Sequence, residues 1–242
     1  AKTVILEVNR GFVAPASGLA IDPNRIDVMF ESSQSLTEMV TPPIDDVAIQ
    51  IGQRVAALIQ DGDCLQTGIG AIPAAILRQL TDKSDLGLHG GLIDQGGQAL
   101  IESGNITGSN KSIDRGLHVT CMALGNQAFY DWLARTPAVT FRGANYTHEV
   151  SIIRQLNQFV SINSAVEVDL FGQINSEVVG GRQISGTGGS VDFMRASNVS
   201  KGGRSIIAMT ATAKSGTVSR IVPKVELVTA LRTDVDIVVT EF

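Results

Sequence analysis

The sequence has no long hydrophobic run. Nothing in its 242 residues approaches the roughly 20 consecutive apolar side chains that a membrane-spanning helix requires, although 43% of the chain is hydrophobic. The opening Ala1-Lys2-Thr3-Val4-Ile5-Leu6-Glu7 reads as a strand rather than as a signal peptide. The expectation is a cytoplasmic protein with no membrane partner. Cysteine is scarce: Cys64 and Cys121 both lie in apolar, strand-like runs, which predicts buried free thiols rather than a disulfide or a nucleophile. Basic residues are outnumbered, 19 Lys and Arg against 24 Asp and Glu, and the net charge of −5 argues against a nucleic-acid partner.

What is present points to a globular chain. Its length and its 18% charged residues allow a sizeable core, as one large domain or two small ones. Its 25 glycines exceed the usual share of about 7% and sit in short clusters, as functional turns do. Charge is uneven. From Arg182 to Lys224 seven basic residues face one acidic residue, Asp192, which fits either an anionic ligand or a solvated basic face.

Residues 1–43 carry one strand and then a polar loop ending at Thr41-Pro42-Pro43; they are expected to be a connecting arm from a missing N-terminal domain. The abrupt end within an apolar strand at Ile237–Phe242 gives the expectation of a fragment at both ends. From Ile44 to Phe242 helices and strands alternate. Asp45 or Asp46 is placed to cap a helix carrying Val47, Ile51, Val55 and Leu58 at helical spacing. Short apolar strands are expected at Cys64–Gln66, Leu86–His89, Val119–Leu124 and Ala138–Phe141, with helices at Ala74–Leu80, Asp94–Glu102 and Gln127–Ala134. Strands follow at Phe159–Ile162, Ala165–Leu170, Ser205–Thr210 and Val235–Val239. This order predicts an α/β fold with a mostly parallel or mixed sheet covered by helices.

Two glycine-rich segments carry chemical potential. Gly68-Ile69-Gly70-Ala71-Ile72-Pro73 leaves a strand and enters a helix, so free backbone N–H groups and the helix dipole converge on one spot suited to an anion or a developing oxyanion. It lacks the third glycine of a dinucleotide fingerprint and the Lys-Ser/Thr of a P-loop, and a structural βα turn explains it as well. The second, Ser185-Gly186-Thr187-Gly188-Gly189-Ser190, offers main-chain amides of the kind an oxyanion site needs.

Five segments in order resemble the acetyl-CoA hydrolase/transferase family, which includes acetate and 4-hydroxybutyrate CoA-transferases. They are Gly68–Pro73, Asn163–Gln173, Ser185–Phe193, Gly216–Pro223 and Asp236–Glu241. The resemblance implies the C-terminal half of a CoA-transferase with a related N-terminal α/β domain, a cleft between the halves, and a homo-oligomer. It implies that an acyl-CoA thioester meets Gly68, Ile69, Gly70, Ala71 and Ile72, with Gly186, Gly188 and Gly189 helping to form the oxyanion site. Lys214 is implied to meet CoA, and Asn163 to lie near the thioester. CoA is the substrate of such an enzyme, and no separate cofactor or metal is implied.

A departure sits at the centre of this resemblance. Where most of the family has His-Thr-Glu, with the glutamate attacking the thioester, this chain has His89-Gly90-Gly91. The nucleophile's place falls on Gly91. Among substitutes, Asp94 stands at a helix start where capping is its ordinary role, Glu102 at a surface position, and Glu167 and Asp169 on one face of a strand; His89 is able to polarise a carbonyl or water. Three readings follow: transfer by direct attack of an acceptor carboxylate in the space at Gly90 and Gly91, hydrolysis by water, or a binding subunit without chemistry. Relatives resembling itaconate CoA-transferases, with a small residue at this place, favour the first. Two other classes stand outside the family: a sugar-phosphate or nucleotide-binding module using Asp94 to read a ribose, and an interaction protein with no affinity for CoA esters.

Overall fold

The computed structural model describes residues 2–40 and 42–242. The first residue of the expected opening strand, Ala1, and one residue of the arm's expected end, Thr41, lie outside them.

Five strands form the central sheet, all parallel, in the spatial order Ile237–Val239, Arg204–Ala208, Phe159–Asn163, Cys64–Thr67, Gly87–Leu88. Leu65 stands beside Val160, Ile162 beside Ile206, and Ile207 beside Val238. The central strands are buried on both faces, as a parallel sheet covered by helices requires. The expected α/β class with its mostly parallel sheet is therefore present.

Helix α1 (Asp46–Ala56) begins where Asp45 accepts a hydrogen bond from the Ala48 amide at 2.8 Å. It buries Ala48, Ile51 and Val55 on one face. Helix α2 (Ala71–Arg78) starts at Ala71, three residues ahead of the expected Ala74, with Gly70 as its N-cap. Pro73 fits its first turn because the missing N–H has no intrahelical partner there. A Cβ at Gly52 of α1 would lie 3.0 Å from the Ala75 carbonyl carbon; the glycine lets the two helices approach closely.

Helix α3 (Gln95–Glu102) is capped by Asp94 and helix α4 (Gln127–Leu133) by Asn126. Phe129, Trp132 and Leu133 of α4 join Ile51, Leu65 and Ile206 in the largest apolar core. The expected strand Val119–Leu124 divides in two: His118–Thr120 pairs with Val139–Phe141, and Met122–Ala123 pairs with Leu92–Ile93. Two four-residue helices follow, α5 (Ala144–Thr147) and α6 (Val150–Ile153). Helix α7 (Ser190–Val199) leads out of the second glycine segment and packs on the strand Phe159–Asn163.

Outside the central sheet, Glu167–Asp169 lies between antiparallel Ile174–Asn175 and parallel Ile221–Val222. The mixed pairing expected for the last third thus forms a separate small sheet. The first forty residues hold a second strand beyond the one expected: Val28–Ser32 pairs in parallel with Ile5–Asn9, drawing on the apolar Val28-Met29-Phe30 within a polar stretch. Phe12 and Leu36 pack on the main core, and the Met39 amide donates to Gly125 O at 2.9 Å. Among the described residues, no helix is long and apolar enough to cross a membrane.

Candidate active site

In an open parallel sheet, loops from the carboxyl ends of neighbouring strands diverge and leave a crevice. Here Thr67, Leu88 and Asn163 end three adjacent strands, and the segments leaving them meet the second glycine loop around a cavity of about 430 Å³. Its wall includes Gly68, Ile69, Gly91, Asn163 and the whole of Gly186–Gly189. Leu92, Met122, Leu124 and Phe193 give it an apolar side.

The first glycine loop serves two recesses. Gly68 and Ile69 face the cavity, whereas Gly70, Ala71 and Ile72 line an adjoining hollow with Thr210 and Arg220. Gly70 has φ +114°, a backbone that favours glycine, and caps α2 without a side chain. The amides of Ala71 and Ile72 therefore stand at an open helix N-terminus, where no intrahelical acceptor exists. In the second loop, Gly188 has φ +55°. Among the described residues, the amides of Gly186, Gly188 and Gly189 have no protein acceptor, which leaves them available to a ligand oxygen.

Asn163 is held firmly. Its Nδ2 donates to Gln66 Oε1 at 3.1 Å and lies 3.0 Å from Ser161 Oγ, tying the ends of two strands together beneath the cavity. Gly90 faces this support: a Cβ there would lie 3.4 Å from Gln66 Cγ. Gly91 faces the cavity, and its carbonyl accepts from the Met122 amide at 3.1 Å and from the Cys121 thiol at 3.0 Å. Both cysteines are free; Cys64 is buried with its pKa pushed up to about 12 by burial, while Cys121 is only half-buried.

Other residues singled out from sequence lie off the cavity wall. His89 is fully buried, with Nε2 3.2 Å from the Thr147 carbonyl. Burial, reinforced by the nearby Lys111 charge, pushes its pKa down to about 4. Asp94 caps α3, its Oδ1 accepting from the Gly96 and Gly97 amides at 2.9 and 3.1 Å. Burial raises its pKa, against the pull of those hydrogen bonds. Glu102 is exposed at the end of α3. Glu167 accepts from Asn175 Nδ2, and Asp169 accepts from the Phe171 and Gln173 amides in its own turn. Lys214 is exposed at the tip of the hairpin joining Thr212–Ala213 to Val218–Ser219.

The structure adds a residue that sequence reasoning missed. His148, at the end of α5, lines the cavity. Its Nε2 lies 3.0 Å from where a Cβ at Gly91 would stand and 2.3 Å from where one at Gly189 would stand. Real Cβ atoms do not approach that closely, so the imidazole occupies space opened by two glycines. Phe193 closes the slot, its ring centroid 4.5 Å from the imidazole. Nδ1 is 2.8 Å from Thr147 Oγ1. The sole clue in the sequence is the pair of glycines, and nothing in it says which residue fills their space.

Comparison with known proteins follows the same lines. Residues 125–242 match the family model described as acetyl-CoA hydrolase/transferase C-terminal domain. A 4-hydroxybutyrate coenzyme A transferase of Clostridium kluyveri is 42% identical over the whole chain, which covers 57% of that protein. A succinyl-CoA:cyclohexane-1-carboxylate CoA transferase of Geobacter metallireducens is 39% identical, with 56% of it covered. The crystal structure of RipA from Yersinia pestis superposes on the whole chain with a TM-score of 0.93 at 40% identity, 56% of RipA being covered. The chain thus spans just over half the length of the curated relatives it matches. On its sequence, fold and matched domain, the chain belongs to the acetyl-CoA hydrolase/transferase family.

Proposed function

We propose that the protein containing this chain moves CoA between an acyl-CoA and a small carboxylic acid without a glutamyl-CoA intermediate on this chain. One observation carries the reading: among the described residues that line the cavity, none is Asp or Glu. Gly91 presents no nucleophile, and the carboxylates weighed as replacements lie elsewhere. The acceptor acid itself then supplies the attacking oxygen. It bonds to the thioester carbonyl carbon, the C–S bond breaks, and a mixed anhydride and CoA thiolate form. The thiolate next attacks the acceptor's own acyl carbon, releasing the first acid.

The loop amides of Gly186, Gly188 and Gly189 are suited to the oxyanion of each addition, and the apolar side of the cavity to the acyl group. Lys214 offers an ammonium outside the cavity for the phosphate end of CoA. In this reading residues 1–43 lead from an N-terminal half that completes the cleft, the assembly is a homo-oligomer, and CoA is a substrate rather than a resident cofactor. A second reading, hydrolysis, is favoured by His148 on the cavity wall and fits the range of activities in the family model's description.

Initial rates of the full-length protein, with acetyl-CoA and a carboxylic-acid acceptor varied together, test the first reading. Intersecting lines are expected, because both substrates must be bound before chemistry. Parallel lines, the mark of a ping-pong reaction through a covalent enzyme form, would contradict it.

A further inference from the structure

The described residues of the cavity wall include no Asp, Glu, Lys, Arg, Cys or Tyr. The one side chain there of an acid–base residue type is His148, and the structure holds it in a made place. Glycine at 91 and at 189 opens the slot, Phe193 packs on the ring, and Thr147 Oγ1 engages Nδ1 at 2.8 Å. Behind it, His89 reaches the carbonyl of Thr147 at 3.2 Å and fixes the backbone that carries the ring. With Nδ1 engaged, Nε2 makes no hydrogen bond among the described residues.

We infer that His148 is the general base of this site, taking a proton through Nε2 from a water that attacks the thioester, so that acyl-CoA is hydrolysed when no acceptor acid is bound. The inference rests on the reading of this cavity as an acyl-CoA site. As water's oxygen bonds to the carbonyl carbon, its proton passes to Nε2 and the carbonyl becomes an oxyanion facing the loop amides. The C–S bond then breaks with its electron pair on sulfur, and the imidazolium returns the proton to the departing thiolate. The products are the free acid and CoA, and the imidazole is regenerated neutral.

The electrostatics agree with that role. Burial lowers the pKa of His148 below its ordinary 6.5, against the opposing pull of Asp192 on α7. His89, behind it, is neutral at pH 7 because its own pKa is about 4. Glu149 directs its carboxylate to the Ser151 amide. The imidazole is thus a free base at neutral pH.

The test uses full-length protein, acetyl-CoA and no acceptor, following thiol release beside calorimetric binding of acetyl-CoA. Wild type should release CoA with a rate that rises with pH through one ionisation below 6.5 and then levels, and with a normal solvent deuterium isotope effect. His148→Gln should bind acetyl-CoA and lose about 100-fold or more of the hydrolysis rate, the usual weight of a positioned base. The wild-type profile and isotope effect need no variant, so they decide the matter even if His148→Gln does not fold. Acetyl-CoA bound without hydrolysis by wild type, an unslowed His148→Gln, or an acyl-enzyme trapped by acid quench would each overturn the base role while leaving the acyl-CoA site standing. Absence of acetyl-CoA binding would overturn that site and the inference together.

Discussion

Gly91 and His148 explain one another. The missing side chain at 91 and the one missing at 189 are the space the imidazole occupies, so placing a carboxylate at 91 is not a single-residue change. Gly91→Glu alone places a Cβ 3.0 Å from Nε2 and should give no CoA adduct with acetyl-CoA. The double variant Gly91→Glu with His148→Ala should give one by intact mass, because the shortened residue clears room for the carboxylate. An adduct in the single variant would show that His148 yields easily and is not held as described. Gly189→Ala meets the ring at 2.3 Å and should cost at least about tenfold in thiol release by displacing it. The reading of His89-Gly90-Gly91 as a break in the resemblance comes from the sequence alone. His148 was not legible there: an isolated histidine in Thr147-His148-Glu149-Val150 carries no motif, and only folding brings it against a loop far earlier in the chain.

The helices were read well wherever a cap and a buried stripe coincided. Asp45 and Asn126 do what their residue types predict, and Asp94 turns out to be a cap rather than part of the cavity wall. Asp94→Ala should therefore lower unfolding free energy by about 1 kcal/mol, measured by urea denaturation, and leave thiol release from acetyl-CoA within twofold. A hundredfold loss of that activity with unchanged stability would instead give Asp94 a chemical role. The short elements were not legible. The strand expected at Val119–Leu124 splits at Cys121 because its two ends pair with different partners. Helices α5 and α6 are single turns, too short for any apolar period to show. Their place is set by tertiary bonds such as Tyr146 Oη donating to Asp114 Oδ2 at 2.9 Å.

For the molecule as a whole, the parallel sheet followed from the alternation of apolar strands and amphipathic helices, while the separate small sheet and the second strand of the arm depended on long-range pairing. Beneath the sheet edge lies a buried polar cluster that composition alone does not reveal. Lys111 donates from Nζ to the Leu88 and Leu117 carbonyls at 3.2 and 2.7 Å, and burial lowers its pKa. His89 and His118 are buried near it, each with a pKa of about 4 because burial, and then the Lys111 charge, disfavours the imidazolium. Unfolded, each would titrate near 6.5, so between 6.5 and 4 the unfolded chain binds more protons. Stability should be highest above pH 6.5 and fall steadily as pH drops to about 4. Urea midpoints across that range check this, and replacing His118 by Asn should flatten the slope; an unchanged slope would mean that His118 is protonated in the fold.

The claim that joins these scales is that CoA chemistry proceeds here without a covalent carboxylate on the enzyme. Intact-mass measurement of the full-length protein after brief incubation with acetyl-CoA tests it directly. The predicted spectrum shows the unmodified mass alone, with or without an acceptor acid, and a species heavier by CoA, mapping to any Asp or Glu of this chain, would contradict it.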